Sequence, residues 1–154
     1  MPTDRRLTLD PGFHTGWSLW VNGKLSLQGV IEGGLDGFIT WANSWGSLYV
    51  DVLVIEDFIA EPKFTGRVWA SEVKGAAIAL ISHGRLIIQK RSDKATLFKQ
   101  KYKGDKGETE RFGWLREHGF HGVSHELDAI THGLVSYKRD KHPYVLKKYW
   151  NIGH

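Results

Sequence analysis

The stretch LTLDPGFHTGWSLWVNGKLSLQGVI, which covers residues 7–31, decides the predicted fold. Pro11-Gly12 interrupts a run of β-forming residues, because proline removes a backbone donor and glycine beside it is typical of a turn. Asn22-Gly23, between two further such runs, is the strongest short signal for a two-residue β-hairpin. The strands that this pattern predicts span 7–10, 15–20 and 25–31. The sequence therefore predicts an antiparallel meander of three strands.

Helices and strands alternate beyond the meander. The segment VDVLVIEDF, residues 50–58, is almost continuously apolar up to Glu56, which is typical of a strand buried on both faces of a sheet. The other elements predicted by periodicity and small residues are helices over 35–48, 67–83 and 124–137 and a strand over 85–90. A meander that continues into a βαβ unit indicates an α/β fold with a mixed five-stranded sheet, antiparallel and then parallel, flanked by helices.

Two segments are polar and basic. Residues 91–117 have weak helical periodicity, and we expect a short helix and a mobile basic loop there. Residues 138–154 form a basic tail that is rich in aromatic side chains. The sequence has no internal repeat and no linker composition, so we expect a single domain over residues 1–154.

The composition is that of an ordinary globular protein. Of the 154 residues, 41% are hydrophobic and 25% are charged, which excludes a largely disordered chain. The absence of cysteine excludes disulfides, thiolate zinc sites and a cysteine nucleophile. No apolar run approaches the roughly 18–20 residues that cross a bilayer, and the start MPTDRR lacks the apolar stretch of a signal peptide. These features predict a soluble cytoplasmic protein with no membrane contact.

Positive charge is concentrated in the second half of the chain. Residues 1–84 have a net charge of −3, and residues 85–154 have a net charge of +7. Such asymmetry favours a polyanionic partner such as nucleic acid, although a solvated basic surface has the same composition. The candidate phosphate-binding residues are Lys90, Arg91, Lys94, Lys99, Lys101 and Lys103.

Two carboxylates stand at the ends of predicted buried strands. Asp10 ends the first strand and Glu56 ends the most hydrophobic one, where an ionised carboxylate is costly unless it is paired or bound to a metal. If the crossover after the meander returns beside the first strand, the two carboxylates converge. Divalent cations would relieve their repulsion, and two such ions about 3.5–4 Å apart are the usual device for phosphodiester hydrolysis.

The last predicted helix supplies two further candidates. His125 and Asp128 are three residues apart, so their side chains project from the same helical face. Imidazole and carboxylate are both acceptable ligands for Mg²⁺ or Mn²⁺. Glu126 projects in another direction and is a weaker candidate. Asp57 is also weaker, because it faces away from its strand neighbour Glu56.

Each candidate also has a structural interpretation, which the sequence leaves open. Asp10 before Pro-Gly could be a turn former, and Glu56 could pair with a lysine. His125 could be a helix-start residue with a satisfied hydrogen bond, and Asp128 could complement the helix dipole. A metal centre requires all four side chains to meet in the folded chain.

Four segments carry a family resemblance over most of the chain. They are LTLDPGFHTGWSLW (7–20), VLVIEDF (52–58), SEVKGAAIAL (71–80) and SHELDAITHGL (124–134). In order and spacing they resemble the RuvC-like Holliday junction resolvases, within the ribonuclease H-like nucleases. In that family the first strand ends in Asp-Pro-Gly before a Thr-Gly, the central strand ends in Glu, and the last helix carries His or Asp three residues before Asp-Ala. The resemblance implies the ribonuclease H-like fold.

The same resemblance implies a site and an activity. The family's catalytic metal ligands correspond to Asp10, Glu56, His125 and Asp128, which would hold Mg²⁺ or Mn²⁺, with two ions expected. Asp10 would bridge both ions, and Glu56 and Asp128 would each bind one. His125 would bind an ion or position the attacking water. The implied protein is a homodimeric endodeoxyribonuclease that resolves four-way DNA junctions by paired nicks, leaving 3′-hydroxyl and 5′-phosphate ends.

The chain departs from the family pattern in two places. The segment FIAEPKFTGRVWA (58–70) lacks the usual aromatic-rich pattern beside the junction-probing loop, although Phe58, Phe64 or Trp69 could serve there. The polar segment 91–117 is longer than the family leads us to expect. The small size and unusual loops resemble a bacteriophage-type member.

Three other functions stay open as alternatives. A nuclease for flaps, other branched DNA or RNA–DNA hybrids would use the same metal site on the same fold. A non-catalytic module could hold junctions through the basic half of the chain. Actin-like ATPases and sugar kinases share the Asp-Pro-Gly and Thr-Gly pattern, but 154 residues are too few for the two domains that they need.

Overall fold

The computed structural model describes residues 3–58 and 68–153. The strands in this part of the chain are β1 (Arg5–Asp10), β2 (Thr15–Val21), β3 (Lys24–Ile31), β4 (Tyr49–Asp57) and β5 (Ser82–Lys90). The helices are α1 (Gly34–Ser44), α2 (Trp69–Leu80), a 3₁₀ helix (Arg91–Thr96), α3 (Gly104–Glu117), α4 (Ser124–Arg139) and α5 (Pro143–Trp150). None of these helices is both long enough and apolar enough to cross a bilayer.

The five strands form one mixed sheet in the order β3-β2-β1-β4-β5. β1 pairs antiparallel with β2, and β2 pairs antiparallel with β3. β4 runs parallel to both β1 and β5. The predicted meander and the predicted return of the crossover beside the first strand are therefore confirmed.

The hairpin between β2 and β3 has the predicted turn. Asn22 and Gly23 have φ values of 52° and 79°, and a type I′ turn requires such left-handed values at both central residues. Asparagine and glycine adopt this conformation most readily. Val21 pairs with Lys24 across the turn, so the predicted strand ends are correct to within one residue.

Alternation along β1 and β4 directs their side chains to opposite faces of the sheet. Leu9 and Ile55 are cross-strand partners and are buried in the core that α1 and α2 cover. Thr8 faces the other way, and its hydroxyl donates to a main-chain carbonyl of α4 at 2.6 Å. By the same alternation Asp10 and Glu56 project toward α4, at the carboxyl ends of neighbouring parallel strands.

The structure corrects the predicted basic loop at 91–117. This segment begins with the 3₁₀ helix and continues into α3, which is 14 residues long. The buried side of α3 consists of Gly107, Arg111 and Leu115, which are spaced four residues apart. Only one of these three is a large apolar residue, so the helix is stabilised by tertiary contacts that hydrophobic periodicity does not reveal.

Several element boundaries also differ from the sequence prediction, and α1 ends at Ser44 and not at residue 48. The basic tail contains α5, which starts at Pro143, a residue whose fixed φ suits the first turn of a helix. Helix α2 ends at Leu80 and not at residue 83, because Ile81 is extended and buried in the core that α1 and α2 cover. Strand β5 begins directly afterwards at Ser82.

Candidate active site

The four side chains predicted from the sequence line one cleft of about 500 Å³. Asp10 and Glu56 reach it from the ends of β1 and β4, and His125 and Asp128 reach it from the first two turns of α4. The structure thus brings together residues that lie up to 118 positions apart in the sequence. Their roles as metal ligands stay a prediction.

Gly16 explains how the start of α4 comes so close to the strands. A Cβ atom at this position would lie 1.9 Å from the main-chain oxygen of His125, so any larger residue would push the helix away. Gly16 is also the cross-strand partner of Asp10. The Thr-Gly that follows Asp-Pro-Gly therefore has a packing reason, because it sets His125 beside the end of β1.

His125 is the partially exposed member of the site. Its Nδ1 is 3.8 Å from Asp10 Oδ2, which is an ion-pair distance and longer than a hydrogen bond. The interaction with the Asp10 carboxylate raises the pKa of His125 above its usual range. The centre of the His125 ring lies 5.5 Å from that of His14, which contacts Glu32.

Asp10 is the carboxylate with the least favourable surroundings. Burial raises the pKa of Asp10 to about 6, and the charges of Glu56 and Asp128 act in the same direction, against His125 and Lys94. The two neighbouring carboxylates thus destabilise the ionised form of Asp10. A strongly perturbed carboxyl in a cleft is a feature of functional sites.

Two buried cations partly compensate this negative charge. Lys94 Nζ lies 3.5 Å from Glu56 Oε2 and 3.3 Å from Asp128 Oδ1. Arg111, on the buried side of α3, places a guanidinium nitrogen 3.4 Å from the same Asp128 oxygen. Asp128 therefore has specific cationic partners, which the helix-dipole interpretation of this residue does not explain.

Lys94 corrects one of the predicted phosphate contacts. The sequence predicts Lys94 within a mobile basic loop, but it belongs to the 3₁₀ helix and only 6% of it is exposed. Its pairing with Glu56 also matches the alternative that Glu56 pairs with a lysine. Neither Lys94 nor Arg111 is recognisable as a partner of these acids from the sequence, because their contacts depend on how α3 and the 3₁₀ helix pack on α4.

Glu56 has a second partner, His132, which is not among the residues predicted from the sequence. His132 Nε2 lies 2.8 Å from Glu56 Oε2, and His132 itself is fully buried. Burial opposes ionisation of Glu56, but the hydrogen bond from His132, together with Lys94 and Asp10, lowers its pKa to about 2. A signal was present, since His132 follows Asp128 by four residues and so lies on the same side of the helix.

The chemistry of the four side chains fits Mg²⁺ or Mn²⁺. Hard divalent cations prefer carboxylate oxygens, and Mn²⁺ also accepts imidazole. Within residues 3–58 and 68–153, no three acidic or imidazole groups already surround a single point. Lys94 contacts two of the carboxylates, so an ion held between Glu56 and Asp128 would replace Lys94 as their partner.

The two weaker candidates have structural partners. Glu126 accepts a hydrogen bond from the backbone N–H of Val123, which caps the start of α4, and another from Gln28. Asp57 pairs with Lys74 of α2 at 2.6 Å. Asp57 also lines the cleft, so the choice of Asp128 and Glu56 over their neighbours stays a prediction.

The predicted basic residues border the cleft and a second groove. Lys90 and Arg91 line the cleft at the end of β5. Arg91, Lys99 and Lys103 line a groove of about 640 Å³ that runs along the 3₁₀ helix to the start of α3, and both depressions share Asp128. Lys101 is exposed on the connection between these helices. The positive side chains therefore form a border that leads to the carboxylates.

Of the three aromatic residues considered near 58–70, Phe58 and Trp69 lie within the described chain. Phe58 is exposed and lines the cleft. Trp69 packs edge-on against Phe13, with the ring centres 5.2 Å apart. Phe64 lies outside the described residues.

Comparison with known proteins gives a structural match without a sequence match. No protein-family model and no curated protein matches the sequence. A structure of Thermus thermophilus RuvC superimposes with a TM-score of 0.56 and 15% identity, over 90% of this chain and 97% of that chain. The T. thermophilus RuvC structure in complex with a Holliday junction substrate superimposes with a TM-score of 0.55 and 14% identity, over 89% of this chain and 96% of that chain.

This chain has the RuvC fold. The resemblance predicted from the four sequence segments, and with it the ribonuclease H-like α/β fold, is therefore confirmed at the level of the fold. The RuvC fold spans about nine tenths of the chain. A bacteriophage-type origin stays a prediction.

Proposed function

We propose that this protein is a metal-dependent, structure-selective endodeoxyribonuclease that resolves four-way DNA junctions. The observation that carries the proposal is the cleft in which Asp10, Glu56 and Asp128 meet with fewer fixed cations than carboxylates. Such an excess of carboxylate oxygens suits divalent cations and phosphodiester chemistry. The RuvC fold supports the choice of substrate, since one RuvC structure of this fold is a complex with a Holliday junction substrate.

The side chains of the cleft would have different roles in this reaction. Asp10, Glu56, Asp128 and His125 would hold the ions. A bound Mg²⁺ or Mn²⁺ supplies Lewis acidity toward the phosphate and makes a water molecule easier to deprotonate. His125, partly exposed beside Asp10, would orient the water that attacks phosphorus in line with the 3′ oxygen. Arg111 holds Asp128 in place, and Lys94 offsets the negative charge of the cleft until an ion takes its place.

The basic border would bind the DNA backbone. Lys90, Arg91, Lys99, Lys101 and Lys103 carry positive charge next to the carboxylates without a pocket shaped for one base. Contacts of this kind provide affinity that decreases with salt and little sequence choice. Selectivity would then come from the shape of branched DNA.

Paired nicks require two active sites, and we propose a homodimer. Edge strand β5 exposes Leu86 and Ile88 on the face of the sheet that α2 covers, and α2 itself exposes Leu80. A symmetric pair of such apolar surfaces suits a two-fold interface. In sedimentation equilibrium, Leu86→Glu should give a monomer, whereas Leu27→Glu on the opposite edge strand β3 should leave the dimer intact.

Cleavage of an end-labelled immobile four-way junction tests the function. Linear duplex, a flap and an RNA–DNA hybrid serve as competing substrates, each with Mg²⁺ or Mn²⁺ and with chelator. We expect symmetric nicks in the junction that require the metal. Equal or faster cutting of the flap or the hybrid would keep the nuclease and change its substrate. Junction binding without any cutting would support the non-catalytic alternative and contradict the proposal.

A further inference from the structure

A buried histidine stands behind the cleft, outside the four predicted side chains. His132 contacts Glu56 Oε2 through Nε2 at 2.8 Å, and its Nδ1 contacts the side-chain amide of Gln89 at 2.5 Å. We propose that His132, held by Gln89, is a positioning residue that fixes the Glu56 carboxylate for divalent-cation binding. This inference rests on the proposed function, because it concerns the same carboxylate.

Three elements build this arrangement. Glu56 and Gln89 are cross-strand partners on β4 and β5, so their side chains lie next to each other on the α4 side of the sheet. His132 projects from α4 onto this pair, one helical turn beyond Asp128. The imidazole therefore connects the sheet and the helix that together carry the carboxylates.

Hydrogen-bonding rules fix what the imidazole offers to Glu56. If the amide nitrogen of Gln89 donates to Nδ1, the proton of a neutral ring is on Nε2. If the amide oxygen of Gln89 accepts from Nδ1, Nε2 must also carry a proton, because a bare lone pair would face the carboxylate oxygen. In both orientations Nε2–H of His132 donates to Glu56.

The cost of burying these groups indicates a purpose beyond packing. His132 and Gln89 are both fully buried, and the Gln89 side-chain nitrogen has no hydrogen-bond partner among the described residues. Buried polar groups of this kind cost free energy compared with apolar side chains of the same size. The pair fixes the orientation of the flexible Glu56 side chain. Residues that hydrogen-bond to metal ligands commonly have this role.

Two substitutions at His132 separate positioning from packing. Glutamine can place its amide nitrogen near the position of Nε2, so His132→Gln should keep the donor to Glu56. Asparagine is shorter, so His132→Asn should retain a polar side chain but lose the contact with Glu56. Thr131→Val is the matched control, since Thr131 is fully buried on the same helix and its hydroxyl donates to the main chain of Leu127.

Calorimetric titration with Mn²⁺ alone tests the inference, after circular dichroism has shown that each variant is folded. We expect His132→Asn to weaken Mn²⁺ affinity by about 10–100-fold, and His132→Gln and Thr131→Val to stay within about threefold of wild type. With junction DNA, His132→Asn should lower kcat and leave KM unchanged. The inference would be overturned if His132→Asn bound Mn²⁺ as tightly as wild type, or if all three variants lost Mn²⁺ affinity equally.

Two further outcomes are also decisive. If His132→Asn does not fold, Gln89→Met takes its place: affinity about tenfold weaker supports the positioning role, and unchanged affinity overturns it. If the wild-type protein itself binds no Mn²⁺, the metal centre of the proposed function is overturned. The failure of the inference and the failure of the proposed function therefore give different results.

Discussion

Two charge clusters lie at opposite ends of β1 and α4, and they are built differently. At the amino end of β1, buried Arg6 contacts Asp4 and Asp140 at 2.9 Å each, and Arg85 also pairs with Asp140. At the carboxyl end, the fixed cations Lys94 and Arg111 lie 3.3–3.5 Å from Glu56 and Asp128. Asp10 lines the same cleft. The first cluster balances two cations with two anions, whereas the second has an excess of carboxylates.

The pKa values of two aspartates express this difference. Burial alone would raise the pKa of Asp140, but hydrogen bonds from Arg85 and Arg6 lower it below the usual range. Burial raises the pKa of Asp10, and neighbouring carboxylates add to the increase. A satisfied cluster contributes to stability, and a cluster with excess charge is free to bind a cation. We therefore interpret the Arg6 cluster as structural and propose a functional role for the cleft.

The largest expected effect is on activity at the cleft. Asp128→Asn should reduce junction cleavage by at least about a thousandfold, because several kcal/mol of transition-state stabilisation depend on the ligand set. Glu126→Gln, two residues earlier on α4, is the control and should cleave normally, since Glu126 serves the helix cap. Single-turnover cleavage rates measure both. Equal losses of cleavage rate in the two variants would contradict a specific catalytic role for Asp128.

The largest expected effect on stability is at the other cluster. Arg6→Met leaves Asp4 and Asp140 without their buried partner, and we expect the free energy of unfolding to decrease by about 2–3 kcal/mol, allowing for the partial exposure of both aspartates. Urea denaturation measures this change. The cleavage rate per folded molecule should be unchanged, and a specific loss of activity would remove the distinction between the clusters.

A smaller effect concerns pH and Asp140. Because its folded pKa lies below the unfolded one, the ionised carboxylate stabilises the fold above the unfolded pKa of about 3.9, and this contribution is lost as pH falls through the folded value. The difference in unfolding free energy between wild type and Asp140→Asn should therefore be largest near neutral pH and disappear in acid. A difference that is constant with pH would contradict the charge-based explanation.

The smallest effect is expected on the basic border. Replacing Lys99 and Lys103 with alanine should weaken DNA binding and reduce the slope of log affinity against log salt by about 2, since each lost phosphate contact removes about 0.9. Lys24→Ala, at the hairpin remote from the cleft, should leave the slope unchanged. Fluorescence anisotropy at several salt concentrations measures it. An equal change in the control would mean that the positive charge acts through net charge alone.

The sequence was sufficient to predict the strands and the convergence of two carboxylates, because the signals for them lie between neighbouring residues. The Asn22-Gly23 turn and the apolar run before Glu56 depend on neighbouring residues, and both gave correct strands. The neighbouring positions of β1 and β4 then followed from the topology of a meander and a crossover. This was enough to predict that Asp10 and Glu56 converge.

The partners of the carboxylates could not be predicted in the same way. Helix α3 buries Arg111 and a glycine on the side where a periodic pattern requires apolar residues, so the segment looks like a basic loop. Lys94 resembles any other lysine of a basic stretch until tertiary packing buries it. His132 shares a helical face with Asp128, yet its contact with Glu56 depends on how α4 packs against β4, which the sequence does not specify.

The most direct test of the central claim is Asp10→Asn, with cleavage and stability measured on the same preparation. Asp10 lies at the carboxyl end of β1, whereas the Arg6 cluster lies at the amino end. The Asp10 carboxylate belongs to the cluster in which carboxylates outnumber the fixed cations. We predict that the variant binds the four-way junction like wild type, loses metal-dependent cleavage, and unfolds at the same or a higher urea concentration. Retained cleavage, or a loss of stability comparable to that of Arg6→Met, would contradict the account.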